Sequence, residues 1–238
     1  MGNTFSAIMA QRSRDTGYAL DLFPTPPWAT RALVRVLCEK LDYHISDDTI
    51  LEPASGRGHM ASTLREYGAR VISQDIHDYG CQDRVTDFLD KSVPYSVRPN
   101  WVITNPPFSM AEAFIFRALT IAKVGVAMLV RTNFLEGIGR HERLFKTHPP
   151  ASVHQFTGRV PMEGGCCAPD TSTATAYCWV IWIKGVKDTR LDWIPNWRKE
   201  LERPGDYDCP ALISTVRAVK DDRKKRKRKN YSDKNKQY

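Results

Sequence analysis

The sequence predicts an α/β fold in which a mostly parallel β-sheet carries helices on both faces. Short apolar runs of strand length alternate with helical patterns along most of the chain. The first strand-like run passes through a tight glycine turn into a helical pattern, which is typical of nucleotide-type sites. The chain has 238 residues, of which 42% are hydrophobic, and this is enough to bury a substantial core. We therefore expect one main domain with appendages rather than two equal domains.

The predicted elements follow from apolar runs and the turn residues that end them. Residues 101–104 form a continuous apolar run that stops at Asn-Pro-Pro, which is typical of a buried strand. By the same reasoning, strands are predicted at 49–52, 70–74, 101–104, 124–130, 151–156 and 176–183. Helical patterns cover 28–40, 60–67, 109–122 and 138–147.

The predicted main domain covers 18–187, after an N-terminal arm at 1–17 and before a C-terminal extension at 188–219. A bridge over 157–175 joins the last two strands. It is rich in Gly, Pro, Ser and Thr and long for a hairpin.

The net charge of +8 is concentrated at the carboxyl end of the chain. Residues 220–238 contain ten Lys or Arg and three Asp, so that this segment alone has a net charge of +7. Such a run predicts a disordered basic tail that attracts polyphosphate without reading its sequence. A nuclear-import signal and a role in solubility are alternative interpretations. We favour nucleic-acid attraction because the motifs described next independently indicate a base as substrate.

The motif Asn105-Pro106-Pro107-Phe108 follows the strand at 101–104. The side-chain oxygen of Asn105 and the backbone oxygen of Pro106 can accept the two hydrogens of a planar exocyclic amine. Phe108 offers a ring on which a flat base can stack. An ordinary strand-to-loop turn is the alternative explanation for these four residues.

A second motif, Glu52-Pro53-Ala54-Ser55-Gly56-Arg57-Gly58, follows the strand at 49–52. Its two glycines permit close approach of a backbone to a cofactor, although Ala61 stands where a G-x-G-x-x-G fingerprint has its third glycine. The next strand ends at Asp75, 17 residues beyond Gly58, near the distance at which an acid accepts ribose hydroxyls. A solvated surface carboxylate is the alternative for Asp75.

A further carboxylate, Asp87, stands beside Phe88. We expect Asp87 to accept a hydrogen bond from an adenine amine and Phe88 to pack on the base.

With these motifs in this order, the chain resembles the class I S-adenosylmethionine-dependent amino-methyltransferases that carry [DNS]-P-P-[YF]. The resemblance covers about 20–185 and is greatest to the compact phage-type DNA N6-adenine enzymes, with the motif order of their gamma arrangement. It implies a Rossmann-like fold with a seven-stranded, mostly parallel sheet and an antiparallel edge hairpin. The implied cofactor is S-adenosylmethionine, and the implied partner is DNA.

The resemblance also implies a set of site residues. The catalytic residues are Asn105, Pro106, Pro107 and Phe108. Phe23, Thr25 and Pro26 belong to a segment that closes over the methionine end of the cofactor. The other cofactor-binding residues are Glu52, Ala54, Ser55, Gly56, Gly58, Asp75, Ile76, Asp87, Phe88 and Asn105. From their position after the strand at 124–130, rather than from the resemblance, we expect DNA contacts from Arg131, Asn133 and Arg140 and, more weakly, from Arg159 in the bridge. An ordinary surface charge is the alternative for each arginine.

The implied reaction is methyl transfer to the exocyclic N6 amine of adenine in DNA. An RNA adenine methyltransferase would use the same residues, and the sequence discriminates poorly between the two polymers. A catalytically inactive nucleic-acid-binding protein of the same fold is a further alternative, although it would have no need for the Asn105 carbonyl. A protein glutamine methyltransferase fits the basic tail less well.

The six cysteines form no C-x-x-C pair and no zinc-type spacing with histidine, so we expect no metal site. The adjacent Cys166 and Cys167 lie among loop residues. No apolar stretch approaches the length of a membrane span and no secretory signal is recognised, so we expect a cytoplasmic location. The recognition sequence and the oligomeric state cannot be read from the chain.

Overall fold

The computed structural model describes residues 22–95, 98–162, 164–165, 167 and 173–207. The predicted N-terminal arm and basic tail lie outside these residues, as do parts of the bridge and the extension beyond 207. Cys166 and Cys209 also lie outside them.

The described residues form one sheet of eight strands. The strands are β1 Thr49–Glu52, β2 Arg70–Asp75, β3 Arg84–Val85, β4 Trp101–Thr104, β5 Gly125–Arg131, β6 Ser152–Phe156, β7 Tyr177–Ile183 and β8 Arg190–Ile194. Their order across the sheet is β3-β2-β1-β4-β5-β7-β6-β8. Every neighbouring pair is parallel except that β7 runs antiparallel to both β5 and β6.

The helices are α1 Pro27–Leu41, α2 His59–Arg65, α3 Ala111–Ile121, α4 Ile138–Arg140 and α5 Arg198–Leu201. Short 3₁₀ turns occupy Phe108–Met110 and Thr132–Leu135, and a π-helical turn occupies His141–Phe145. In α1, Pro27 fills the first helical position, where its missing N–H costs nothing. No described helix combines the length and the apolar character required to cross a lipid bilayer.

Two apolar layers cover the sheet, one on each face. Trp101 and Ile103 of β4 belong to the layer that contains α1 and α2, whereas Val102 belongs to the layer that contains α3. Successive side chains of a strand point to opposite faces, so a strand covered on both sides is apolar throughout. The sequence of β4 is therefore an apolar run. Packing on both faces also holds the end of this strand in a fixed position.

The structure confirms the predicted α/β class and the antiparallel pair β6 and β7, with eight strands instead of seven. The two strands without a predicted counterpart are the edge strands β3 and β8. The helix predicted at 138–147 differs from the structure, because only three α-helical residues precede the π-helical turn. In that turn Leu144 and Phe145 both pack against the α3 layer.

A buried arginine joins the segment after β8 to the first two helices. The guanidinium of Arg31 donates to both carboxylate oxygens of Asp206 at 2.7 and 2.8 Å and to Glu66 at 2.8 and 3.0 Å. It also donates to the backbone oxygen of Leu201 at 2.7 Å. Burying a cation is tolerated only when its donors are satisfied, so this cluster fastens 201–206 to the domain.

Candidate active site

The carboxyl ends of β1, β2, β4 and β5 meet at one edge of the sheet because these strands are parallel. Each predicted motif begins where one of these strands ends. In open α/β sheets, ligands bind in the crevice outside these strand ends. The site is therefore built from loops on a scaffold of largely buried strands.

The glycine loop after β1 makes a tight turn. The N–H of Ser55 donates to the backbone oxygen of Gln74 at 3.0 Å, and the N–H of Gly58 donates to the backbone oxygen of Ser55 at 2.8 Å. Gly56 has a φ of +50°, and a Cβ placed there would come within 2.7 Å of Leu22 Cδ1. Its positive φ favours glycine at position 56, and a larger residue would also have to displace the end of the Leu22 side chain.

Asp75 holds this loop from the end of β2. Its Oδ2 accepts the N–H of Gly56 at 2.8 Å, and its Oδ1 accepts the N–H of His77 at 3.0 Å. Each carboxylate oxygen has a second lone pair, so these bonds leave acceptor capacity for ribose hydroxyls.

Glu52 is a buried carboxyl at the end of β1. Burial raises the pKa of Glu52 well above its usual range, and the nearby charge of Asp75 acts in the same direction. The backbone N–H of Ala61 and the charge of Arg65 oppose this rise in pKa. Its Oε2 has no hydrogen-bond partner among the described residues. A buried unsatisfied oxygen is costly, which is a reason to expect a ligand donor beside it.

A cavity of about 310 Å³, which we call the Asp75 cavity, opens beside the end of β2. Ile76 and the exposed Asp87 line it together with Asp75, Gly56 and Ala54. The ring of Phe88 also lines this cavity, yet it is buried in the core, 5.0 Å from the ring of Phe114 between centroids.

A smaller cavity of about 30 Å³, the Glu52 cavity, also borders the glycine loop. Phe23, Thr25 and Ser55 line it with Glu52. The residues that line both cavities, and so lie between them, are Leu22, Ala54, Gly56 and Asn105. Pro26 and Gly58 line neither cavity: Pro26 precedes α1 and Gly58 precedes α2.

The amide of Asn105 is oriented by its neighbours. Its Nδ2 donates to the backbone oxygen of Phe23 at 3.0 Å and lies 3.6 Å from the sulfur of Met162. Because a backbone oxygen only accepts, this bond fixes which amide atom faces Phe23. The Oδ1 of Asn105 is buried and has no partner among the described residues. The side chain thus presents an unused acceptor at the wall shared by the two cavities.

A third cavity of about 230 Å³, the Phe108 cavity, is bordered by Pro106 and Phe108 of the Asn-Pro-Pro-Phe motif. Its lining residues are Pro106, Phe108, Ala111, Val130, Arg131, Asn133, Phe134 and Arg140. The ring of Phe108 lies 4.9 Å from the ring of Phe23 between centroids. The guanidinium carbon of Arg131 lies 3.7 Å from the Phe108 ring centroid. Part of the surface on which a base was expected to stack is therefore covered by Arg131.

The predicted DNA contacts are divided between two places. Arg131, Asn133 and Arg140 line the Phe108 cavity. The Nη1 of Arg140 donates to the backbone oxygens of Phe134 and Glu136 at 2.7 and 2.6 Å, so this side chain braces the loop before α4. Arg159 is exposed in the bridge and lines none of the three cavities.

Several lining residues had no counterpart in the sequence prediction. His77 and Tyr79 line the Asp75 cavity, with Met110 and Phe114. The position of His77 and Tyr79 just after the strand that ends in Asp75 is a usable signal, because loops at this edge face the ligand. Met162 carries no such signal, since it reaches Asn105 from the bridge, 57 residues away in sequence.

Within the described ranges, no group of three or more His, Cys, Asp or Glu side chains is placed to hold a metal ion. A mainly apolar cleft of about 420 Å³, lined by Phe116, Trp182 and Lys184 among others, lies beside the amino end of β5. It is remote from the motifs because they occupy the opposite ends of the strands.

The sequence matches no protein-family model and no curated protein sequence. The fold does match solved structures. The methyltransferase subunit of a type I restriction-modification system from Streptococcus thermophilus aligns with a TM-score of 0.56 at 13% identity, over 78% of this chain and 49% of that one. A Vibrio vulnificus protein named as a modification subunit of a type I restriction enzyme aligns with a TM-score of 0.51 at 16% identity, over 89% and 56%.

The chain spans about half the length of these two subunits. A Pyrococcus horikoshii protein named as an RNA methyltransferase aligns more weakly, with a TM-score of 0.49 at 16% identity, over 68% of this chain and 87% of that one. The strand order, the antiparallel β7 and the two stronger alignments agree: the chain has the class I methyltransferase fold.

Proposed function

We propose that this chain is an S-adenosylmethionine-dependent methyltransferase that acts on the exocyclic N6 amine of adenine in DNA. The observation that carries the proposal is the Oδ1 of Asn105, which is buried and has no hydrogen-bond partner among the described residues, while the amide nitrogen is anchored on the backbone oxygen of Phe23. A buried acceptor without a donor is rare in native proteins, and an incoming amine supplies that donor.

The two cavities that Asn105 lines are the proposed cofactor site. In the Asp75 cavity, Asp75 would accept hydrogen bonds from the ribose hydroxyls of the cofactor. Asp87 would accept a hydrogen bond from the amine of the cofactor's own adenine. In the Glu52 cavity, Glu52 and Thr25 would contact the methionine end. When bound, S-adenosylmethionine supplies an electrophilic methyl group on its sulfonium. The protein's task is then to position the acceptor amine and manage its charge.

The Asn-Pro-Pro-Phe motif would perform that task. Hydrogen bonds from the amine to the Oδ1 of Asn105 and to the backbone oxygen of Pro106 localise its lone pair, which is otherwise delocalised into the base. Phe108 would stack on the base in the Phe108 cavity. An adenine paired in a duplex cannot reach Asn105, so it must be flipped out at a cost of a few kcal/mol.

DNA is the proposed polymer for two reasons. Residues 220–238 contribute a net charge of +7, which favours binding to a polyphosphate. In addition, two proteins that align with TM-scores of 0.56 and 0.51 are named as subunits of restriction and modification systems.

Transfer of a labelled methyl group from the cofactor to duplex DNA, single-stranded DNA and RNA, followed by nucleoside analysis, tests the proposal. We expect N6-methyladenine in DNA with the wild-type protein and none with Asn105→Ala. Label in RNA alone would assign the enzyme to RNA. Label in another nucleoside would overturn the adenine assignment, and no transfer to any nucleic acid would overturn the proposed function.

A further inference from the structure

We propose that Arg131 is a specificity-determining residue that closes the base site until the phosphates of a bound duplex draw its guanidinium away. This inference rests on the proposed function and extends it, because it states what keeps unpaired adenine from being an equally good substrate. It assigns to Arg131 a role different from that of a simple DNA contact.

The first observation is the place that the guanidinium occupies. Its central carbon lies 3.7 Å from the ring centroid of Phe108, which is close enough for the two planar groups to stack. Arg131 is the last residue of β5, and both side chains line the Phe108 cavity. A base that stacks on this surface of Phe108 must therefore displace the guanidinium.

The second observation is how weakly Arg131 is held by polar groups. Among the described residues, the buried Nε of Arg131 has no hydrogen-bond partner, as is also true of the Nε of Arg140. The rest of the Arg131 side chain forms no hydrogen bond or ion pair with the described residues either. Arg140, in the same cavity, donates to two backbone oxygens. Arg140 is therefore held by hydrogen bonds, whereas the Arg131 side chain stacks on Phe108.

A phosphate outside the cavity would offer Arg131 the acceptors that it lacks inside. Guanidinium groups bind phosphate through charge-assisted hydrogen bonds that are stronger than bonds between neutral groups. Glu112 does not compete for it, because Glu112 is paired with Arg143 at 2.7 Å and lies 3.9 Å from Arg140. Duplex binding would therefore open the base site, whereas a short unpaired substrate with few phosphates would have to open it alone.

The size of the effect follows from the stacking contact. The strength of a cation–π contact increases from exposed to partly desolvated sites. A base that must displace the cation loses this contact, which corresponds to an affinity penalty of roughly 2- to 30-fold. We expect this penalty to disappear when the guanidinium is removed.

The experiment measures kcat/KM for a long duplex DNA and for a three-nucleotide single strand with one central adenine. Arg131→Ala should raise kcat/KM for the short strand about 2- to 30-fold and lower it for the duplex. Arg131→Lys keeps the charge but not the planar group. Its kcat/KM should rise for the short strand and should fall less for the duplex than that of Arg131→Ala. Arg70→Ala, an exposed arginine at the opposite end of β2, is the matched control and should leave both values unchanged.

Several outcomes would overturn the inference. If Arg131→Ala lowers both values by the same factor, Arg131 is an ordinary substrate contact, and if it changes neither, the stacked geometry has no role. Either of these two results would leave the proposed function intact, provided that the wild-type enzyme methylates the duplex. A wild-type protein that methylates neither DNA removes both proposals. Unfolding temperature and cofactor affinity identify a misfolded Ala variant, in which case Arg131→Lys alone decides the question.

Discussion

The carboxylate of Asp75 accepts the backbone N–H of Gly56 at 2.8 Å, which joins the end of β2 to the glycine loop after β1. Its second oxygen accepts the N–H of His77 at 3.0 Å. One side chain thus fixes the loops on two sides of the cavity in which the adenosine part of the cofactor is proposed to bind. Removing it should affect both the shape of the site and its ligand contacts.

Asp75→Ala is expected to weaken binding of S-adenosylmethionine by about 10- to 150-fold, because a charge-assisted acceptor is worth roughly 1.5–3 kcal/mol. Asp75→Asn retains one acceptor oxygen, so its affinity for the cofactor should lie between those of the wild type and Asp75→Ala. Isothermal titration calorimetry measures all three proteins. Equal affinity in the Ala variant and the wild type would show that Asp75 only supports the loop.

Asn105→Ala should lower kcat by roughly 10²–10³, as is typical when a preorganised polar group is lost from the reacting centre. Affinity for the cofactor should change only a few-fold, because the proposed role of Oδ1 concerns the acceptor amine. Asn133→Ala, an identical change in the Phe108 cavity, should raise KM for DNA more than it lowers kcat. Robust turnover by Asn105→Ala would mean that the amide is structural.

Gly56→Ala and Gly80→Ala separate backbone strain from crowding. Both glycines have positive φ, +50° and +73°, but a Cβ at Gly56 meets Leu22 at 2.7 Å, whereas one at Gly80 meets nothing within 4 Å. Each change should cost about 1–2 kcal/mol in backbone strain, and Gly56→Ala should cost roughly 1–3 kcal/mol more through overpacking. Urea unfolding measures both. Equal losses would show that Leu22 moves aside freely.

The buried His154 predicts a dependence of stability on pH. Burial lowers the pKa of His154 to about 4, so the unfolded chain, with a histidine pKa near 6.5, binds the proton more readily. Stability from this residue is present above pH 6.5 and falls as the pH drops towards 4, by about 3 kcal/mol in total. Urea unfolding of wild type and His154→Gln between pH 4 and 7 should show a difference that shrinks with acid. Parallel curves would remove His154 as the cause.

Truncation after residue 219 removes ten Lys or Arg and three Asp. We expect weaker binding to DNA at low salt and a shallower dependence of binding on salt, because each lost phosphate contact lowers the slope by roughly one unit. Site preference and turnover at saturating DNA should persist, since phosphate contacts carry no base information. A salt titration of both proteins measures the slopes. An unchanged slope would leave the tail without a role in DNA binding.

The strands that position the site were predictable because they are short, buried and ended by turn residues. β1 and β4 were predicted at the bounds that the structure gives them. β3 and β8 were not predicted, because strands at the sides of a sheet bury little apolar side-chain surface. Both residues of β3 are exposed, and in β8 only Ile194 is buried. Their pairing depends on neighbouring strands rather than on an apolar pattern of their own.

The site was predictable only where a motif lies within one loop. The position of Asn105 at the end of β4 follows from its local sequence, and so does that of Asp75 at the end of β2. Contacts between loops do not follow in this way. The bond from Asn105 to Phe23 joins residues 82 apart, and the stacking of Arg131 on Phe108 depends on how two loops lie over the sheet.

The cluster around Arg31 sets a lower limit on the piece of this chain that can fold. Arg31 lies in α1, near the start of the domain, but its buried charge is balanced by Asp206, which follows the last strand. A protein shortened at the predicted boundary after 187 would leave that guanidinium without Asp206 and the backbone oxygen of Leu201. Removing one partner of a buried ion pair typically costs 3–5 kcal/mol, a large part of the stability of an ordinary domain. Residues 188–207 therefore belong to the same folding unit as the sheet edge that holds Asn105.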